Sequence, residues 1–199
     1  MPDTGAPWNI PYVEAADLVS DWPADSLLLA NAIDAGLDAA GNAGIGSNVV
    51  QAHKSGVFST SSTTFVDVTG LSLSFTPTTA TSKVLLLAVI SVSKDGTTAG
   101  SSVAQVRLVR DASAINVGNA ASSRTQAFGV NVLQATTGYN IDNIGTVFVD
   151  SPATTSAVTY ALQIRSESGS VGVNRNDNDS GSTDRTRTAS SLIAIEVAA

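Results

Sequence analysis

The block Asn174–Arg187, N-R-N-D-N-D-S-G-S-T-D-R-T-R, gathers more side-chain oxygen than any other stretch of this sequence. Asp177, Asp179 and Asp184, with Asn174, Asn176 and Asn178, offer the closely spaced carboxylate and amide oxygens that a hard cation such as calcium prefers. The spacing departs from the D-x-[DN]-x-[DN]-G pattern of a calcium loop: Gly181 follows Asp179 by two residues instead of one, and no glutamate closes the loop. The block therefore reads as a solvated loop or hairpin tip, exposed and rich in turn formers, with calcium as the competing reading.

Nucleophilic and general-base chemistry asks for a histidine or a paired carboxylate in a pocket, and the chain has one histidine, His53, in Q-A-H-K-S-G. At the end of a strand beside Lys54, it reads as solvated or partly packed. No G-x-S-x-G elbow precedes a helix, and no second histidine is present to share a metal. Carboxylates alone can hydrolyse glycosides, but Asp67, Asp95, Asp111, Asp142, Asp150 and Glu167 mostly fall at turns. No enzyme activity, cofactor or resident metal is expected. Glu196 interrupts the terminal run L-I-A-I-E-V. Alternation groups Leu192, Ala194 and Glu196 on one face and Ile193, Ile195 and Val197 on the other. Glu196 then lies on a solvated outer face or, alternatively, is buried against a Lys or Arg near a symmetry axis.

Strands must position these groups. The chain is 43% hydrophobic, with 5% aromatic and 14% charged residues. Burial has to come from many Ala and Val side chains, which suits a sandwich core. A net charge of −7 argues against nucleic acid and anionic membranes as partners. No apolar run approaches the length of a membrane span, and residues 1–11 lack the basic and apolar regions of a secretory signal. With no cysteine there is no disulfide framework, thiolate metal site or redox motif.

From Asn48 onward the hydrophobic period is two. Val49–Gln51, Thr64–Val68 and Leu71–Phe75 alternate, with Gly70 as the turn between the last two. Lys83–Ser93 is nearly continuous and apolar, the pattern of a strand buried on both faces at the centre of the core. Further strands are expected at Val103–Arg110, Ala114–Val117, Ala127–Gln134, Gly145–Val149, Ala157–Arg165 and Leu192–Val197. About nine strands at this spacing predict an all-β, antiparallel sandwich.

Both tryptophans stand ahead of this region. Pro7 and Pro11 hold Trp8–Asn9–Ile10 extended. After Pro23, Asp25–Ser26 forms an N-cap, and Leu29, Ile33, Leu37 and Ala40 share one stripe of a short helix over Ser26–Ala40, closed by Gly41. An arm this small cannot build its own core. Trp8, Ile10, Tyr12, Leu18 and Trp22 are therefore expected to dock on another protein or copy, with folding back onto the head as the alternative. The division expected is a docking arm over 1–24, a short helix and linker over 25–47, and a β-sandwich head over 48–199.

The leader Gly5–Gly41, with P-W-N-I-P-Y, then D-L-V and D-W-P, resembles the N-terminal leader of minor structural proteins of tailed bacteriophages. Val49-Val50-Gln51, Phe65–Leu71, Phe75-Thr76-Pro77, Ser82–Leu85 and Leu192–Val197 resemble phage fibre and decoration domains, which are similar to the trimeric jelly rolls of the tumour-necrosis-factor and complement globular-head type. The resemblance implies a jelly-roll head and a homotrimer at the virion surface, assembled in the host cytoplasm and attached by its leader to capsid or tail proteins. It implies no activity. In such a trimer Leu29, Ile33 and Leu37 would form a three-helix seam, and each head would bury one sheet face around the threefold axis. The short helix favours a stubby fibre or decoration protein. A competing reading is a module that binds host-surface glycans through an exposed Tyr139, Tyr160 or the Asn174–Arg187 loop.

Overall fold

The computed structural model describes residues 27–35, 45–96, 101–134 and 139–197. A helix, α1, covers residues 27–35. The rest of the predicted helix, residues 26 and 36–40, lies outside the described residues, as does the proposed docking strip. The strands among the described residues are β1 (Ile45–Lys54), β2 (Phe58–Thr60), β3 (Val66–Phe75), β4 (Lys83–Lys94), β5 (Ser101–Arg110), β6 (Ser113–Ile115), β7 (Gly129–Gln134), β8 (Asp142–Asp150), β9 (Val158–Ser166), β10 (Val171–Val173) and β11 (Ser190–Val197).

Pairing is nested: β1 lies antiparallel to β11, β3 to β9, β4 to β8 and β5 to β7. A long two-stranded ribbon has been folded over on itself, giving one sheet in the order β1-β11-β4-β8 and a second in the order β3-β9-β5-β7. This is the predicted antiparallel jelly-roll sandwich. The three-residue strands β2 and β10 extend the first sheet along the end of β4, and β6 pairs with the far end of β5. Segments this short carry too little periodicity to read from sequence, and neither β2 nor β10 was anticipated.

The core lies between the sheets. Val84, Leu86, Ala88, Ile90 and Val92 of β4 face Ala104, Val106 and Leu108 of β5 and Tyr160, Leu162 and Ile164 of β9, all essentially inaccessible to solvent. Every second residue points inward, as the pleat requires.

Two sequence expectations are corrected here. Gly70 does not end a strand. β3 runs through it, and its pairing with β9 shifts register between Asp67↔Gln163 and Ser72↔Ala161. Gly70, at φ +87°, sits inside that bulge, where its backbone conformation favours glycine. A turn and a bulge ask for the same residue, so the sequence did not separate them. The second correction concerns β4, which is buried on both faces only over Ile90–Lys94; before that its outer face is open, with Val89 47% exposed and Leu85 and Leu87 half-buried. The chain provides no second layer over that side among the described residues.

Candidate interaction surface

The outward positions of the first sheet form an apolar block. Registers place Val49, Ile195, Leu85 and Val149 in one row across the four strands, and Gln51, Ile193, Leu87 and Val147 in the next. A third row holds His53, Ser191, Val89 and Gly145. The edge valines are the most open, Val147 at 66%, Val49 at 54% and Val149 at 50% exposed. With strands about 4.8 Å apart and same-face residues about 6.6 Å apart, the aliphatic positions of these rows cover roughly 250 Å² in projection.

Polar groups are confined to its margins. His53 is exposed, with its Nδ1 3.4 Å from Ser191 Oγ, and Ser91 donates across the strands to Asn143. His53 and Lys83 are the ionisable side chains at outward positions of these strands, and no carboxylate stands there.

The outward face of the second sheet is different. Gln163 Nε2 donates to Asp67 Oδ1 at 2.7 Å, and Gln163 Oε1 accepts from Arg107 Nε at 2.7 Å. The Arg107 guanidinium lies 4.2 Å above the Phe65 ring. This face mixes such polar groups with aliphatics, Val103 and Val109 of β5, Ala161 of β9, and Val130 and Val132 of edge strand β7, the last two 60% and 58% exposed.

Buried polar groups fix the sheet that carries the apolar block. Glu196 is fully buried, so the face of β11 that points into the sandwich is Leu192–Ala194–Glu196, and Ile193, Ile195 and Val197 point out. The solvated reading of Glu196 is thereby corrected, and so is the expected cation. Thr78 N and Thr78 Oγ1 donate to Oε1 at 2.8 and 2.6 Å, and Asn48 Nδ2 to Oε2 at 3.3 Å. Desolvation pushes the carboxyl pKa up, but hydrogen bonds from Thr78, Ser82 and Asn48 outweigh it and hold the pKa below the ordinary glutamate value.

At the opposite edge, Asp150 accepts from Arg110 Nη1 at 2.7 Å and from Tyr160 Oη at 2.6 Å. Burial, followed by the Asp150 hydrogen bond, pushes the Tyr160 phenol far above its ordinary pKa. This group ties the end of β8 to β5 and β9 of the other sheet. A third anchor is Asn174, at φ +62°. Its Nδ2 donates to the carbonyls of Lys54 and Gly56, and its Oδ1 accepts from Ser190 Oγ at 2.6 Å.

That anchor also corrects the reading of the polar block as an exposed loop. Asn174, Asn176 and Asp177 are buried, and only the part from about Asp179 to Arg187 is open. Alternating Asn and Asp look the same whether water or the chain's own carbonyls take their hydrogen bonds. Asp177 Oδ1 accepts from Asn178 N at 2.9 Å, while its Oδ2 is buried without a hydrogen-bond partner among the described residues. Asp179 pairs with Arg187 at 2.7 Å, and Asp184 accepts from Tyr139 Oη at 2.8 Å. Among the described residues no three acidic or histidine side chains converge on a cation position.

Of the tyrosines offered for glycan stacking, Tyr160 is in the core, which corrects its expected exposure. Tyr139 is half-exposed, but the Arg185 guanidinium lies 4.1 Å from its ring centroid. Trp8, Ile10, Tyr12, Leu18, Trp22 and Leu37 lie outside the described residues. Leu29 is half-buried, and Leu27, Leu28 and Ile33 of α1 are exposed, Ile33 at 44%. The rows on the first sheet were missed by sequence reading, although the double-sided apolar pattern of β4 signalled them.

No protein-family model matches the chain, and no curated protein matches it. Among solved structures it is similar to the 2.6 Å structure of infectious bursal virus-derived T=1 particles, with 18% identity and a TM-score of 0.34 over 76% of this chain and 36% of that one. It is also similar to the infectious bursal disease virus VP2 subviral particle, with 16% identity and a TM-score of 0.28 over 76% of this chain and 37% of that one. The chain thus spans little more than a third of either protein. Likeness at this level leaves the fold to be read from the strand order above.

Proposed function

We propose that the chain is a structural protein of a tailed-bacteriophage virion, a short homotrimeric fibre or decoration protein without enzymatic activity or cofactor. The observation that carries this reading is the leader, with Pro7–Tyr12, Asp17-Leu18-Val19 and Asp21-Trp22-Pro23 standing ahead of a jelly-roll head. Trp8, Ile10, Tyr12, Leu18 and Trp22 dock on a capsid or tail protein. Large side chains on a proline-stiffened strip bury much area at low entropic cost. Leu29, Ile33 and Leu37 join the helices of three copies, and the head stands at the virion surface. Exposed apolar residues on α1 support this, because a helix of that length is marginal without partners.

Deleting residues 1–24 is the test. The head should keep its β-rich circular dichroism and lose incorporation into particles. Incorporation at the wild-type level would show that the leader is not the anchor. The competing role, recognition of a host-surface glycan, retains only Tyr139 and the open part of the polar block. A glycan array probed with the full chain would revive it by a signal that Tyr139→Ala abolishes.

A further inference from the structure

We propose that the cleft over Gln105, on the outward side of β5 and β7, binds a small hydroxy acid, with Arg165 taking its carboxylate and Gln105 its hydroxyl. The site lies on the second sheet, away from Tyr139 and the polar block, and does not depend on how copies of the chain assemble.

The first observation is an arginine without a counter-ion. The chain carries 17 acidic residues against 10 Lys and Arg, and Arg110, Arg175, Arg185 and Arg187 are each paired with an aspartate. Arg165, half-buried on β9, forms no ion pair among the described residues, although the exposed Glu167 stands two residues on. Its Nη1 donates to Thr125 Oγ1 at 2.9 Å, and its Nε is buried without a hydrogen-bond partner. Leaving a buried donor unused costs free energy, and a carboxylate recovers it best because its two oxygens match the guanidinium fork.

The matching defect lies directly across the ladder. Gln105 is the Cα partner of Arg165, and its Oε1 is also buried without a partner. A donor without an acceptor stands beside an acceptor without a donor, and the two do not bond each other. A plain carboxylate answers Arg165 and leaves Gln105 unmet, since it has no proton to give. A hydroxyl close to the carboxylate answers both.

The cleft supplies room and a wall. Its volume is about 440 Å³, and Gln105, Thr125, Ala127, Phe128, Gly129 and Val130 line it. Small-molecule sites span ~300–1,000 Å³ and are mostly apolar with a few placed polar groups. Here Ala127, Phe128 and Val130 face the carbon skeleton of the ligand. The segment carrying Thr125 and Phe128 is pinned, because Phe128 N donates to Val106 O at 3.0 Å and Gln126 Nε2 to Gly118 O at 2.7 Å. On binding, the carboxylate replaces the Thr125 hydroxyl on Arg165 and reaches Nε.

Saturation-transfer NMR on the full chain tests this with two sources of the chemistry, mandelate as a small hydroxy acid and glucuronate as a sugar acid. Phenylacetate lacks the hydroxyl of the first, and glucose lacks the carboxylate of the second. At about millimolar concentration at least one hydroxy acid should give a signal, with its matched control at about a tenth or less. Arg165→Gln should weaken binding about tenfold or more with unchanged circular dichroism, while Arg124→Gln, exposed in the same loop, should leave it unchanged. Gln105→Glu provides the missing carboxylate from within the chain. It should abolish binding and raise the melting temperature by about 2 °C, which keeps the test alive if Arg165→Gln does not fold. Silence from both hydroxy acids, controls as strong as their partners, or wild-type binding by folded Arg165→Gln or by Gln105→Glu would overturn the site. None of these outcomes bears on the virion role, which is read from particle incorporation.

Discussion

Glu196 takes a carboxylate to the end of the core with hydroxyl and amide donors as its hydrogen-bond partners. Its pKa in the fold lies below its ordinary value of 4.5, so its contribution to stability is complete above the unfolded pKa and is lost as pH falls through the folded one. Glu196→Gln should therefore destabilise at pH 7 by about 1–3 kcal/mol, and the melting temperatures of variant and wild type should converge as the pH drops below 4.5; a pH series of thermal melts checks this. At the other edge, removing Asp150 strands the Arg110 charge and the Tyr160 hydroxyl, whereas removing the hydroxyl alone strands neither. Asp150→Ala is expected to cost about 2–4 kcal/mol and Tyr160→Phe about 1 kcal/mol in urea unfolding. Glu196 was conspicuous in the sequence as a break in an apolar run. Which way it faced was not, because alternation gives two faces and only the neighbouring strands decide which is inside. Asp150 was legible only as a turn acid, since its partners are contributed by other strands.

The strands themselves were read well where the apolar pattern is long and unbroken, as in β4, β5, β9 and β11, whereas β3 was read as two strands because Gly70 interrupts its alternation. Pairing is a different matter. Nothing in the residues of β1 says that its neighbour is β11, and Gly70 could not be read as a bulge until β9 was seen alongside both halves of β3. A glycine with a different task, Gly129, opens β7 where it passes β8. A Cβ there would stand 2.3 Å from Ile144 Cγ2. Ile144 is β-branched and nearly buried, so it has little room to turn aside. Gly129→Ala should destabilise the head by about 1–3 kcal/mol, measured by urea titration, by prising apart that edge of the sandwich. The apolar pattern of β4 predicted burial on both faces along its length, and the structure shows it only over Ile90–Lys94.

For the molecule as a whole, the proposed reading joins a docking strip, a short helix that gathers copies and a jelly-roll head. The docking residues and Leu37 were reached from sequence alone, through prolines, aromatics and helical spacing, and it is the assembled particle that can place them. The most direct measurement is the mass of the full chain in solution by light scattering at micromolar concentration. A stable species near 60 kDa, three times the 20.1 kDa chain, is the predicted result. A single species near 20 kDa would contradict it.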